Sequence, residues 1–289
     1  MGLGTRVIKR RIKATKNISK ITKTMEMVAA AKMRKAQKEA LSGKPYSEKL
    51  IEVIGSLTNL VDPAINPLLK EHEEVKKYLL VLITTNRGLC GSLNTNLLRT
   101  VNKFTEEVKG QGISFDFLTI GRKGQGFAAR RGGYLADFSD KVPFIGNTKA
   151  IISLIVESFL AAKYSRIYLV YNNFIHALKQ EAKISPLLPI SAIDIEEKRK
   201  KPTGEIIFEP DPKEILEELL PFYLENQVRK ALLESEASEH SARMVAMHNA
   251  TMNANDLTYG LTLEFNKMRQ SVITAELADI TTAKLSIEK

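Results

Sequence analysis

Apolar residues recur at helical spacing over two long stretches, one at each end of the chain, with strand-like and helix-like runs alternating between them. In the first stretch, from about Thr5 to Leu60, Ala14, Ile18, Ile21, Met25 and Val28 follow one another at steps of 4, 3, 4 and 3. Ala29, Met33, Ala36 and Ala40 continue one position over, so the spacing predicts a stutter between Val28 and Ala29 that relaxes any supercoil. Pro45 removes an amide from the helix and predicts a bend near residues 42–44. The stripe resumes at Leu50, Ile54, Leu57 and Val61, and Asp62-Pro63 ends it. The second stretch opens after Glu209-Pro210-Asp211-Pro212, where Asp211 is placed to cap and Pro212 falls at the first helical position. Pro221 threatens its opening turns. Beyond Phe222 there is no further proline and a single glycine, Gly260. Its stripe reads Leu257, Leu261, Phe265, Met268 and Val272, then Ile273, Leu277 and Ile280. Neither stretch is apolar enough for a core helix. Two narrow stripes are most simply buried against each other, as an antiparallel coiled coil.

The middle of the chain has a different texture. Tyr78–Thr84 is a continuous apolar run, the pattern of a strand covered on both faces. Leu93–Lys109 reads as a helix, Ile113–Ile120 as a strand, Gly121–Arg131 as a basic loop or short helix, and Thr148–Lys163 as a helix. Arg166–Tyr171 reads as a third buried strand, with Ala177–Leu188 and Glu205–Phe208 as further strands. Strands alternating with helices define an open α/β sheet with crossover helices. The predicted fold is thus a coiled coil of the N- and C-terminal helices plus a central open, Rossmann-like α/β domain. Its divisions fall at residues 1–62, 75–208 and 212–289.

Charge strengthens the pairing. The net charge is +10, and residues 1–40 alone carry 12 Lys/Arg against 2 Glu. Residues 212–289 carry 8 Lys/Arg against 12 Asp/Glu, or −4, so the proposed partner helices are of opposite sign. Cys90 is the only cysteine, which excludes an internal disulfide and a multi-thiolate metal site and fits a reducing compartment. The four histidines include no i, i+4 pair of the kind that ligates zinc. No signal-peptide pattern follows the basic N-terminus. The longest apolar runs are strand-sized, far below the roughly 18 residues of a membrane span.

Two loops invite a chemical reading. Gly121-Arg122-Lys123-Gly124-Gln125-Gly126 follows a strand, but its spacing is neither the dinucleotide fingerprint nor a Walker loop. A tight strand-to-helix turn explains it. Asn86-Arg87-Gly88-Leu89-Cys90-Gly91 supplies no base for a cysteine nucleophile and reads as a sharp turn presenting Arg87. The basic run Arg6–Lys38 has no interleaved aromatics for base stacking, which argues against a nucleic-acid binder. Methionines cluster in the terminal helices, as adaptable packing at a seam would require.

Four segments resemble one family, in order and across the whole chain. The run Lys20–Met33 (KITKTMEMVAAAKM) is similar to the N-terminal helix of the gamma subunits of F-type ATP synthases. Arg87–Gly91 (RGLCG) resembles their first loop, and Ala237–Met247 (ASEHSARMVAM) and Asn266–Thr274 (NKMRQSVIT) resemble their C-terminal helix. The resemblance implies a central rotor shaft that transmits torque between the membrane c ring and the catalytic hexamer of alpha and beta subunits, coupling ion flow to ATP synthesis. It implies a non-catalytic subunit with no cofactor, partnered by alpha, beta, epsilon and the c ring. It also implies peripheral attachment at the cytoplasmic face of a bacterial energy-transducing membrane. By the same resemblance, Arg269, Gln270, Thr274, Met25 and Arg87 fall at beta-subunit contacts, and Glu209 falls at an epsilon and c-ring contact. Asn86 stands where the family usually has Asp. A coiled-coil adaptor without rotary function is the alternative, followed by a nucleic-acid binder and a small-molecule enzyme on the α/β domain.

Overall fold

The computed structural model describes residues 3–57, 66–72, 74–140, 142–190, 209 and 211–287. The chain falls into two compact units: Met1–Ala29 with Arg243–Lys289, and Ala30–Ala242. Both terminal helices, α1 (Leu3–Leu57) and α5 (Pro212–Ile287), are divided between the units.

The larger unit is built on a five-stranded sheet in the order β3-β2-β1-β4-β5. Its strands are β1 (Lys77–Ile83), β2 (Ser114–Ile120), β3 (Gly133–Asp137), β4 (Arg166–His176) and β5 (Lys179–Leu188). The pairs β1–β2, β1–β4 and β2–β3 are parallel, and β5 returns antiparallel along β4 after a turn at Ala177-Leu178. Parallel pairs need crossovers, supplied by α2 (Leu93–Gly110), α3 (Arg122–Ala128) and α4 (Thr148–Leu160). β1 is buried on both faces, as its unbroken apolar run requires. Leu79, Val81 and Ile83 face one core with Ile151, Ile155 and Phe159 of α4. Leu80 and Leu82 face another with Leu97, Val101 and Val108 of α2.

The first core also takes in the terminal helices, which corrects the reading of them as too polar for a core. Leu50, Ile54 and Leu57 of α1 join it, as do Leu216, Leu220, Tyr223, Leu224, Val228, Ala231 and Leu232 of α5. That burial explains why neither internal proline ends its helix. Helix α1 runs through Pro45 and α5 through Pro221. An interior proline costs about 3 kcal/mol, whereas each fully buried Leu or Ile returns about 1.5–3 kcal/mol. Next to Pro45, the Ser47 hydroxyl donates to the Gly43 carbonyl at 3.1 Å and accepts from Asn226 Nδ2 of α5 at 2.6 Å.

Two strands differ from the sequence reading. β3 is an extra edge strand, short and half-exposed, with no apolar run to announce it. β4 extends five residues past Tyr171, because Asn172 and Asn173, which resemble turn residues, are held in the ladder opposite Ala182 and Glu181. The expected strand Glu205–Phe208 lies outside the described residues.

In the smaller unit the two helices pair antiparallel. Ser19 faces Asn255, Thr22 faces Thr251, and Glu26 faces His248. At the start of α1, a side chain at Gly4 would meet Met268 Cε at 2.9 Å. The buried line on α1 is Thr5, Ile8, Thr15, Thr22 and Ala29, with Ile12, Ser19 and Glu26 half-buried between them. Its steps of three and four continue to Met33 and Ala36, so there is one register and no stutter. The predicted stripe was one residue out of phase: Ala14, Ile18, Ile21 and Val28 are exposed. Hydroxyl side chains occupy the seam because each finds a partner on its own helix or across the seam. Thr15 Oγ1 donates to Arg11 O at 3.0 Å, and Thr251 Oγ1 donates to Met247 O at 2.8 Å, while Thr22 Oγ1 lies 2.7 Å from Thr251 Oγ1. On α5 the matching buried positions are Met247, Thr251, Ala254 and Leu261, while Leu257 is exposed.

Leu224→Ala, in the core, is expected to lower the stability of the full chain by about 2–5 kcal/mol in urea unfolding. Leu257→Ala, at a position 56% exposed, is expected to change it by no more than about 0.5 kcal/mol.

Candidate partner-binding surfaces

The Gly-rich turn after β2 forms first from backbone geometry. Gly121 has φ +103, and a Cβ there would lie 2.1 Å from the Thr84 carbonyl oxygen. Glycine is needed for close approach of two backbones. The Thr84 hydroxyl occupies the space between them, hydrogen-bonded with Gly121 O at 2.9 Å and Gly124 N at 2.8 Å. The turn is thus filled by the protein's own groups rather than shaped as a phosphate cradle. Cys90 is buried, with Asn94 Nδ2 at 3.3 Å from its sulfur.

Asn86 joins two loops. Its Nδ2 donates to Ser139 O at 2.9 Å, and its Oδ1 accepts from Arg122 N at 2.9 Å. An ionised Asp would keep the acceptor and lose the donor. Arg87, next in sequence, is exposed, and its carbonyl accepts from Thr85 Oγ1 at 2.8 Å.

The charged clusters of the larger unit close on themselves. Asp116 accepts from Lys77 Nζ and from the Tyr164 hydroxyl, both at 2.8 Å. Burial, then the adjoining carboxylate, pushes the Tyr164 phenol far above its ordinary value. Glu236 of α5 lies 3.7 Å from His240 Nε2. The bond from His240, outweighing partial burial and joined by the charges of Lys32 and Lys35, holds the Glu236 carboxyl below the usual range. Among the described residues no group of His, Cys, Asp and Glu could hold a metal. No described helix is long and apolar enough to cross a membrane.

The residues singled out by resemblance fall in three places. Arg269, Gln270 and Thr274 are all exposed on α5, in the smaller unit. Gln270 and Thr274 share one helical face, and Thr274 Oγ1 donates to Gln270 O at 3.0 Å. Met25 is half-buried on α1. Its facing turn on α5 is that of His248, which is 22 residues and about 33 Å from Gln270 along the helix. Arg87 and Glu209, both exposed, belong to the larger unit. From Ile273 onward α5 continues past the last described turn of α1, with Ile273, Leu277 and Ile280 exposed.

Sequence reasoning missed a polar cluster beside Met25. Glu26 Oε1 lies 3.1 Å from Lys23 Nζ and 3.2 Å from His248 Nδ1. Partial burial alone would raise the Glu26 carboxyl, but the hydrogen bonds and positive charges of Lys23 and His248 outweigh it and hold it below its ordinary value of 4.5. The available signal was the run Thr15, Ser19, Thr22, Glu26, Ala29 at steps of 4, 3, 4 and 3, which has heptad spacing without heptad hydrophobicity.

The smaller unit is an antiparallel helix pair, and the larger unit carries a mixed α/β sheet. A family model described as ATP synthase matches residues 4–286. The ATP synthase gamma chain of Chloroflexus aurantiacus is 42% identical over 281 residues, covering 96% of each chain. That of Pelotomaculum thermopropionicum is 41% identical over 287 residues, covering 98% of this chain and 99% of its own. Among solved structures, a chain of the Euglena gracilis mitochondrial ATP synthase in rotational state 3 superposes with a TM-score of 0.66 at 23% identity. It covers 99% of this chain and 95% of the other. The chain belongs to the ATP synthase gamma-chain family.

The depressed Glu26 value fixes a sign. A carboxyl lowered by folding contributes stability that is present above its unfolded value and lost as pH falls through its folded one. Melting of the full chain is expected to lose the Glu26 contribution below about pH 4.5, and Glu26→Gln is expected to flatten that acid limb while lowering the midpoint near neutrality.

Proposed function

We propose that the chain is the central rotor shaft of an F-type ATP synthase, transmitting torque between the membrane c ring and the catalytic hexamer. The observation that carries this reading is a whole-length likeness to ATP synthase gamma chains joined to an antiparallel pair of terminal helices. The subunit makes and breaks no bonds. It changes which conformation of each beta subunit is lowest in free energy, and a shaft orientation must favour one state over another by about 3–5 kcal/mol to set the order of sites firmly.

In this reading the exposed face of Arg269, Gln270 and Thr274 bears on the beta subunits at one height and Met25 at another. Two separated bearings hold the shaft against tilting while it turns. Arg87 provides a third beta contact from the larger unit, and Glu209 meets epsilon and the c ring. The basic N-terminal helix suits an acidic partner surface, with 12 Lys/Arg against 2 Glu in residues 1–40. The subunit is held at the membrane through the complex, at the cytoplasmic face of a bacterial plasma membrane.

Met25→Lys tests the assignment, because it adds a charge where the shaft meets a beta subunit. In complexes reconstituted into vesicles, ion pumping per ATP hydrolysed is expected to fall about threefold or more while subunit assembly is retained. Unchanged pumping would remove Met25 from the contact. Failure of the parental chain to join an alpha–beta hexamer would overturn the rotor reading itself.

A further inference from the structure

The seam of the smaller unit changes chemistry over two turns. At three successive seam positions of α1, a polar side chain bonds directly across to α5. Ser19 Oγ donates to Asn255 Oδ1 at 2.7 Å, Thr22 Oγ1 and Thr251 Oγ1 lie 2.7 Å apart, and His248 Nδ1 lies 3.2 Å from Glu26 Oε1. Thr22 and Thr251 are both buried. Thr251 Oγ1 also donates to Met247 O at 2.8 Å. One hydroxyl therefore gives its proton to its own helix while accepting across the seam.

Stability does not account for the two uncharged pairs. Replacing both partners of a hydrogen bond with apolar groups of the same shape is close to neutral, and valine is isosteric with threonine. The difference lies in direction. Apolar contacts slide past one another at little cost, whereas a bond of 2.7 Å is lost once its atoms separate by less than one ångström more. A polar residue at a seam position is a recognised means of setting coiled-coil register. Three in succession, on steps of 3 and 4, act on the same face.

We propose that Ser19–Asn255 and Thr22–Thr251 form a register lock, in which positioning pairs hold α1 against sliding and rolling on α5 under twisting load. The reading rests on the rotor function for its purpose, but the lock itself is a property of the helix pair. A shaft made of two helices shears between them when one end is driven and the other resists. Directional bonds in the seam oppose that shear, so torque is passed on rather than absorbed as slip.

The test replaces the lock with apolar residues: Ser19→Ala, Thr22→Val, Thr251→Val and Asn255→Ala. Spin labels are placed at Lys9→Cys and Glu264→Cys, both exposed, in a Cys90→Ala background. The inter-label distance distribution of the full chain is expected to broaden about twofold, while the melting midpoint stays within about 2 °C. In the assembled complex, ions pumped per ATP are expected to fall by about half or more at an unchanged hydrolysis rate. Thr22→Ser with Thr251→Ser, which keeps both hydroxyls, is expected to preserve the narrow distribution and full pumping. An apolar seam that keeps a narrow distribution overturns the proposal. So does a variant that no longer folds, because the lock predicts that stability is retained. The distance measurement needs no partner subunit, so the lock can fail while the rotor reading stands, and the rotor reading can fail in the pumping assay of the parental chain.

Discussion

The structure depends on burial of one face of each terminal helix. A helix of 55 or 76 residues cannot be held by its own propensity, since most helical stability in proteins comes from packing. The chain solves this twice, with different chemistry. In the larger unit the two helices are apolar and enter the core against the sheet. In the smaller unit they pair with each other, and the stretch of that face around Ser19 and Thr22 is small and hydroxyl-rich. Large apolar residues there would hold the helices further apart, whereas Thr, Ser and Ala allow close approach.

That division organises the surface. With the seam given to small residues, the larger apolar side chains of α1 at Ile18, Ile21, Met27 and Val28 are left outside, among lysines and arginines. A solitary soluble helix pair would have no use for such a surface, and a subunit working among large partners does. The α/β body is self-sufficient by comparison. Its strand ends and Gly-rich turn are filled by Thr84, and its charged groups pair internally at Asp116.

The sheet was legible because β1 is a continuous apolar run from Tyr78 and β2 and the first half of β4 are mostly apolar and buried, a signal that tolerates errors of phase. β3 was not, because a half-exposed edge strand carries no such run. The terminal helices were legible as helices and as an antiparallel pair, while their exact contact line was not. Choosing the most apolar stripe placed Ile18 and Ile21 in the seam, when packing had selected Ser19 and Thr22 one position on. Hydrophobicity ranks a hydroxyl below isoleucine, but it takes no account of the partner that Thr22 finds across the seam in Thr251. Pro221 misled for a related reason: its local cost was visible, and the burial that offsets it was not. Gln270 and Thr274 were placed on one face from spacing alone, and the cluster at Glu26 and His248 needed three dimensions.

The single phase of the α1 seam also limits how this molecule can change. Each inserted residue turns a helix by about 100°, so one extra amino acid between Thr5 and Ser19 would carry every position before it away from α5. Lengthening or shortening of this part of α1 is thus tolerated only in whole heptads, and divergence here must proceed by exchange of side chains at constant length.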